Sequence, residues 1–299
     1  MPSILLDPSF RRMEEIFSDE DLERLHDCCD VVWGKNERAP QAVVDEAKAD
    51  AFAVVAPSWR YGELESFPNL KAILEVGGRH PSVDTLDYAY CHRHRIRVLS
   101  CAPAFGPMVA EMALGMVIDA AREITLGHNA FTNAQEAYLW HGNQSTFTLY
   151  NKRVGLIGVG GLANSLLPLL RPFDVELVGY DPWRTAAFLA SQGVKCVTLE
   201  ELLASSDVIF VLAIPSRENK AFLNRQKLEL IQSHAVFALI SRSHVVDFDD
   251  LTQLLHEGRF RAVIDVFPTE PLPEDHPIRT APNTVLSAHR AGSVIGDST

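Results

Sequence analysis

The sequence predicts an α/β protein of two doubly wound parallel-sheet domains. Three observations point there. Short apolar runs recur along the whole chain, separated by helical lengths, the alternation that builds parallel sheets covered on both faces. In the second half, the runs at 207–212 and 235–240 are almost continuously apolar, as strands buried on both faces must be. Between the halves the texture changes. A small-residue apolar helix at 108–118 leads to a polar and aromatic helix at 121–138, then to a polar loop at 141–148 that reads as a linker.

The elements follow in order. Ile4-Leu5-Leu6 is an apolar run stopped by Asp7-Pro8 and reads as the first strand. Ser18 caps a helix that opens with Asp19, Glu20 and Asp21, acids where the helix dipole favours them. Further strands are expected at 31–33, 53–55, 72–76 and 96–99. The helix at 121–138 carries Arg122, Glu123, His128 and Glu136, which suits an exposed arm or a subunit contact better than a core. The second half supplies strands at 153–158, 175–180, 207–212, 235–240, 261–266 and 284–287, with a helix at 162–170.

Composition narrows the function. The 299 residues leave room for two domains, and 47% hydrophobic with 22% charged residues is ordinary for a globular chain. A formal net charge of -12 disfavours non-specific binding to nucleic acid or to anionic membranes. The one basic run, His92-Arg93-His94-Arg95-Ile96-Arg97, reads as a solvated helix end before a strand. Five cysteines without regular spacing suggest reduced, buried or half-buried thiols in a cytosolic protein. Residues 1–7 lack the basic start and long apolar core of a signal peptide, and no apolar stretch approaches a membrane span. A cytoplasmic protein without nucleic-acid, membrane or metal partners is expected.

The first motif with chemistry is Gly158-Val159-Gly160-Gly161-Leu162-Ala163, of the form G-x-G-x-x-A. A strand precedes it, a helix follows, and a second strand ends at Asp181, 23 positions after Gly158 (181 − 158). That context marks a Rossmann dinucleotide site. Gly158 permits the tight turn, and Gly160 lets the backbone approach the pyrophosphate. Gly161 and Leu162 begin a helix whose free N–H groups face the phosphates. Asp181 accepts from the ribose hydroxyls of NAD and repels the 2′-phosphate of NADP. Arg184 nearby could instead pair with that phosphate, so the strict preference stays open, with NAD favoured.

Three later segments follow strands and so lie at the carboxyl edge where open α/β sheets bind ligands. Arg242 follows the strand ending at Ile240, and its fork suits a carboxylate and the carbonyl beside it. Asp265 and Glu270 follow the next strand. His289 follows the last, with a ring that titrates in the range useful for proton transfer.

Here the chain resembles the D-isomer specific 2-hydroxyacid dehydrogenases. The resemblance runs from Val245-Val246-Asp247 through Leu254-Leu255-His256-Glu257-Gly258-Arg259 and Asp265-Val266-Phe267-Pro268-Thr269-Glu270-Pro271-Leu272 to His289. Val109-Ala110-Glu111-Met112-Ala113-Leu114-Gly115 resembles the helix joining that family's domains. The likeness covers about 70–292 and implies hydride transfer between NAD(H) and a 2-hydroxy or 2-keto acid. By the resemblance Arg242 binds substrate, and His289 is the general acid in reduction and the base in oxidation. Glu270 would hydrogen-bond His289, a carboxylate partner of the kind that favours imidazolium. Ile240 and Asp265 would lie with the cofactor, Asp265 near its nicotinamide. Residues 1–103 with 290–299 would form a flavodoxin-like substrate domain and 104–289 the NAD-binding domain, closing over a cleft, with 105–140 forming a homodimer.

The sequence departs from the family in the substrate loop, Glu75-Val76-Gly77-Gly78-Arg79-His80-Pro81. That loop is expected to offer Gly77 and Gly78 amides to a substrate carboxylate, but Arg79 stands where a second glycine is usual. It supplies a second cation or points to solvent. Cys101, Leu239 and Ser243 also replace common family residues. The family runs on into another helix after the catalytic His, whereas this sequence stops at Thr299. Substrate identity therefore stays open among glyoxylate, hydroxypyruvate and larger acids. The alternatives are a formate or phosphite dehydrogenase of the same fold and a non-enzymatic, corepressor-like NAD sensor.

Overall fold

Every strand pairing among the described residues is parallel, as the unbroken apolar runs require. The computed structural model describes residues 1–9, 11–78 and 81–292. They divide into a first unit, Met1–Phe105, and a second from Gly106 onward. Each has its own sheet.

The first sheet holds β1 (Ser3–Leu6), β2 (Asp30–Trp33), β3 (Ala51–Ala56), β4 (Ala72–Glu75) and β5 (Arg97–Ser100) in the order β2-β1-β3-β4-β5. Alternation divides the strand residues between two cores. Leu5, Val54 and Ile73 pack with Trp59, Tyr61 and Phe67 on one face, while Leu6, Val55 and Val76 cluster on the other. Trp59 meets Tyr61 and Phe67 edge-on, with centroids 5.5 and 5.4 Å away, a favourable aromatic geometry.

The second sheet comprises β6 (Arg153–Ile157), β7 (Glu176–Tyr180), β8 (Lys195–Cys196), β9 (Val208–Val211), β10 (Val236–Leu239), β11 (Arg261–Ile264) and β12 (Thr284–Leu286). Their order is β12-β11-β10-β9-β6-β7-β8. Every residue of β9, β10 and β11 is buried. Winding reverses between β6 and β9, where Ile157 pairs with Val211. The two-residue edge strand β8 is too short to carry a readable pattern, and sequence reasoning missed it.

The helix Gly106–Arg122 lies against the helix Gly161–Leu170, burying Ala110, Ala113, Val117, Ala120 and Ala121. A Cβ on Gly106 would meet the Ser165 hydroxyl, which would have to turn away, so the two helices approach closely here. Contrary to the sequence expectation, Ala102–Arg122 is long and apolar enough to cross a membrane by length and composition. Its small buried residues pack it into the core of the second unit.

The arm also differs from expectation. The first helix extends to Arg122, Glu123 adopts a left-handed conformation at φ 54°, and the next helix is only Ile124–Thr132, without a buried residue. Ala134, at φ 55°, prevents continuation towards 138. All five cysteines are free, but Cys28 and Cys196 are exposed rather than buried or half-buried. One ends a surface helix, Asp19–Cys28, and the other lies on the edge strand. Of the segment 290–299 expected in the first domain, 290–292 lie with the second unit, and 293–299 fall outside the described residues.

Arg261 anchors the arm. Buried at the start of β11, it donates to the Ser145 carbonyl, pairs with Glu123 at 3.3 Å and lies 5.8 Å from the Phe147 ring centroid. Arg261→Ala removes a charged donor from a buried site, and the expected loss is about 2–3 kcal/mol. Urea denaturation measures it, and proteolysis between residues 123 and 147 should quicken. An unchanged midpoint would show that the arm does not depend on this anchor.

Candidate active site

The turn after β6 is built for a phosphate-bearing ligand. Gly158 has φ +90°, and a Cβ there would lie 2.8 Å from the Ala213 nitrogen and 2.9 Å from its Cα. Only glycine fits under that backbone. Gly160 caps the helix Gly161–Leu170 without a side-chain hydrogen bond, leaving the first-turn N–H groups of Gly161 and Leu162 without intrahelical acceptors. Added Cβ atoms on Gly160 or Gly161 would meet nothing within 4 Å. The dipole end of this helix therefore sits over an open approach.

Asp181 lies just beyond β7. Its carboxylate accepts the Val159 N–H at one oxygen and the Trp183 N–H at the other, both at 2.9 Å. The acid is thus fixed against the glycine turn by backbone donors. Arg184 places its guanidinium 4.8 Å from the Phe188 ring centroid. These groups fit a dinucleotide, with phosphates at the helix start and a ribose at Asp181.

The exits of β10, β11 and β12 carry the remaining second-unit residues. Ile240 is buried in the core. Ser241 donates its hydroxyl to the Ala213 carbonyl at 2.8 Å, joining the exits of β9 and β10. Arg242 is half-buried and donates to the Ser241 carbonyl at 2.6 Å. His289 and Glu270 meet directly, with Nδ1 2.7 Å from Glu270 Oε2. The other Glu270 oxygen accepts the Phe267 N–H at 2.9 Å. Since a carboxylate accepts at Nδ1, the proton belongs on that nitrogen and Nε2 is turned to other partners. His289 is exposed and has φ 53°. Asp265 is 1% exposed, its oxygens accepting from Arg290 N at 3.0 Å and Ala291 N at 3.1 Å.

In the first unit, Gly77 donates its N–H to Glu75 Oε1 at 2.8 Å, and Glu75 is fully buried. Gly78 has φ +77°, with the Phe105 ring 3.2 Å from where a Cβ would stand. Burial raises the Cys101 thiol pKa, opposed by a hydrogen bond from the Gly78 backbone. The loop amides expected for a substrate carboxylate thus have partners in their own unit. Arg79 and His80 lie outside the described residues.

Sequence reasoning missed a second buried carboxylate here. Asp7 accepts from Arg60 and Tyr61 at 2.8 Å each and from Ala39 N at 3.2 Å. Burial first, then the bond to Asp7, pushes the Tyr61 phenol far above its usual range, so it remains a donor. The one available signal was an Asp directly after a short apolar strand. Among the described residues, no group of three His, Cys, Asp or Glu side chains is placed to hold a metal.

The chain is similar to known proteins over most of its length. The family model described as D-isomer specific 2-hydroxyacid dehydrogenase, NAD binding domain, matches residues 114–291. The D-3-phosphoglycerate dehydrogenase of Methanocaldococcus jannaschii is 27% identical over 233 residues, covering 77% of this chain and 43% of that protein. This chain therefore spans less than half of that relative. The glyoxylate reductase of Thermofilum pendens is 27% identical over 292 residues, covering 94% of this chain and 84% of that protein. The crystal structure of a phosphoglycerate oxidoreductase from Rhizobium etli superposes with a TM-score of 0.83 at 31% identity, covering 97% of this chain and 91% of that one.

The glycine turn supplies a direct test. Gly158→Ala places a methyl group against Ala213 and forces a φ that side chains resist. NADH affinity, measured by fluorescence titration, should fall at least about tenfold (1.4 kcal/mol). Wild-type affinity in a folded variant would refute the assignment of this turn.

Proposed function

This chain belongs to the D-isomer specific 2-hydroxyacid dehydrogenase family, and on that premise we propose that it reduces a small 2-keto acid to the D-2-hydroxy acid. The family carries out NAD-linked hydroxy-acid and keto-acid oxidoreduction, and a nicotinamide dinucleotide is its cofactor. The observation that carries the proposal is the 2.7 Å Glu270–His289 contact, which joins the exits of β11 and β12 beside the β10 exit that carries Arg242. Relatives named glyoxylate reductase, and a human one named glyoxylate reductase/hydroxypyruvate reductase, favour small substrates. The corepressor-like and formate or phosphite readings are not favoured, since the relatives carry names of keto-acid and hydroxy-acid enzymes.

When bound, the nicotinamide would supply the hydride. Gly158, Gly160, Gly161, Leu162 and Asp181 would hold the dinucleotide, with Ile240 beside it. Arg242 binds the substrate carboxylate through its planar fork and draws electron density from the adjacent carbonyl. His289, held at Nδ1 by Glu270, donates the proton from Nε2 to the carbonyl oxygen as the carbon is reduced. In the reverse direction Nε2 takes that proton back. Asp181 favours NAD over NADP, because a fixed carboxylate repels a 2′-phosphate and Arg184 is engaged over Phe188.

The proposal extends to a cytoplasmic homodimer. Free thiols suit a reducing compartment. Ile124, Leu126, Phe131, Tyr138, Leu139 and Trp140 are exposed on the arm, Trp140 by 84%, and an apolar surface of this kind suits a second copy of the chain.

NADH oxidation against a panel of 2-keto acids tests the reading, and tight NADH binding without any turnover would sink it. Arg242→Ala is expected to lower kcat/KM by roughly 10³-fold, about 4 kcal/mol, with NADH affinity nearly unchanged. Unchanged activity would remove its role. His289→Asn should lower kcat by roughly 10²–10⁴-fold. Trp140→Asp should convert a dimer to monomers in sedimentation velocity, and a wild-type monomer would refute the assembly.

A further inference from the structure

We propose that His244 is a positioning residue: with Ser241 it holds the segment that carries Arg242 against the loop after β9, and so sets Arg242 for the substrate carboxylate. This rests on Arg242 being the group that binds that carboxylate. Ser241 stands directly before Arg242, and His244 follows it after Ser243. Both side chains reach the same stretch of loop, 213–216. Ser241 donates its hydroxyl to the Ala213 carbonyl at 2.8 Å, and the His244 ring meets the Ser216 carbonyl through Nε2 at 2.8 Å. A carbonyl only accepts, so Nε2 carries a proton, and the bond persists in the neutral and the charged ring alike.

The loop is shaped to receive these two clips. Asn219, 9% exposed, accepts the Ser216 N–H at 2.7 Å and donates to the Ile214 carbonyl at 2.8 Å. The return limb meets His244 again, whose own carbonyl takes the Ala221 N–H at 2.9 Å. His244 therefore holds both limbs, one through its ring and the other through its backbone. The chain then runs beside the segment after Arg242, with Leu223 N donating to the Val245 carbonyl at 3.1 Å and Asp247 N to the Leu223 carbonyl at 3.0 Å. Arg242 lies between the two side-chain clips, half-buried, and donates to the Ser241 carbonyl at 2.6 Å. Its planar fork binds a carboxylate only in a defined orientation, so the backbone beneath it must be fixed. Ser216 is half-buried, and water can satisfy its carbonyl when the ring is gone. What the ring adds is position.

His244→Leu removes the donor, and His244→Gln returns one at a similar reach. In the NADH-loaded enzyme, kcat/KM for a 2-keto acid is expected to fall at least about tenfold in His244→Leu, with the NADH Kd within about twofold of wild type. His244→Gln should recover kcat/KM to within about threefold of wild type. In an Arg242→Ala background, His244→Leu should change kcat/KM by less than about twofold, because the positioned group is already absent. Nitrogen-15 NMR of the arginine side chains gives a readout apart from turnover. The Nε resonance missing from Arg242→Ala should shift in His244→Leu and return in His244→Gln.

An equal loss of kcat/KM in both backgrounds would mark a general structural role and overturn the proposal. An unmoved Arg242 resonance would do so too. A rise of about tenfold in the NADH Kd, with kcat/KM for the keto acid unchanged at saturating NADH, would assign His244 to the cofactor and equally overturn it. Ser241→Ala removes the other clip, and the same resonance shift is expected of it if His244→Leu does not fold. Failure of the functional reading shows separately, as a wild-type enzyme without keto-acid turnover. The Arg242 resonance then still reports on the clip.

Discussion

Backbone N–H groups leaving buried parallel strands must find acceptors, and this chain meets that constraint with carboxylates at strand exits. Asp7 after β1 accepts from Ala39, Glu75 at the end of β4 from Gly77, Asp181 after β7 from Val159 and Trp183, and Asp265 after β11 from Arg290 and Ala291. Three of the four are buried to 1% exposure or less. Burying an ionised carboxylate costs several kcal/mol, and each charge-assisted bond returns about 1.5–3. The acids are tolerable because each organises a loop, and the loops are shaped by the acids.

This coupling explains why the candidate catalytic groups of the second unit lie at one edge of its sheet. β9, β10 and β11 are buried throughout, so their polar freedom begins only where they end. There, Ser241 ties two exits together, Asp265 ties three, and Glu270 bonds the imidazole. A rigid floor that holds these groups in place is the arrangement catalysis requires, since small misplacements of a proton donor are expensive in rate.

Much of this was legible in the sequence. Apolar runs marked every strand of the two sheets except β8, and the glycine spacing with Asp181 marked the turn that the structure forms. Arg242, Glu270 and His289 were legible because each follows an apolar run. What escaped was pairwise information. Nothing near Asp265 announces amides 25 and 26 residues later. Glu123, where the arm breaks, pairs with Arg261, far along the chain and buried. The loop glycines Gly77 and Gly78 suggested a waiting anion site, yet a neighbouring carboxylate takes the Gly77 amide. Local patterns report periodicity and turns, whereas these features depend on long-range partners.

The short edge strand β8 has a consequence for the protein in bulk. A sheet this apolar would be hazardous if its rim offered a long row of unpaired amides to another molecule. Here the rim narrows to Lys195 and Cys196, both exposed, and the opposite rim is the three-residue β12. A charged, truncated border gives an incoming strand little to zip onto. Edge-to-edge association through this sheet is thereby limited by two short strands at its margins.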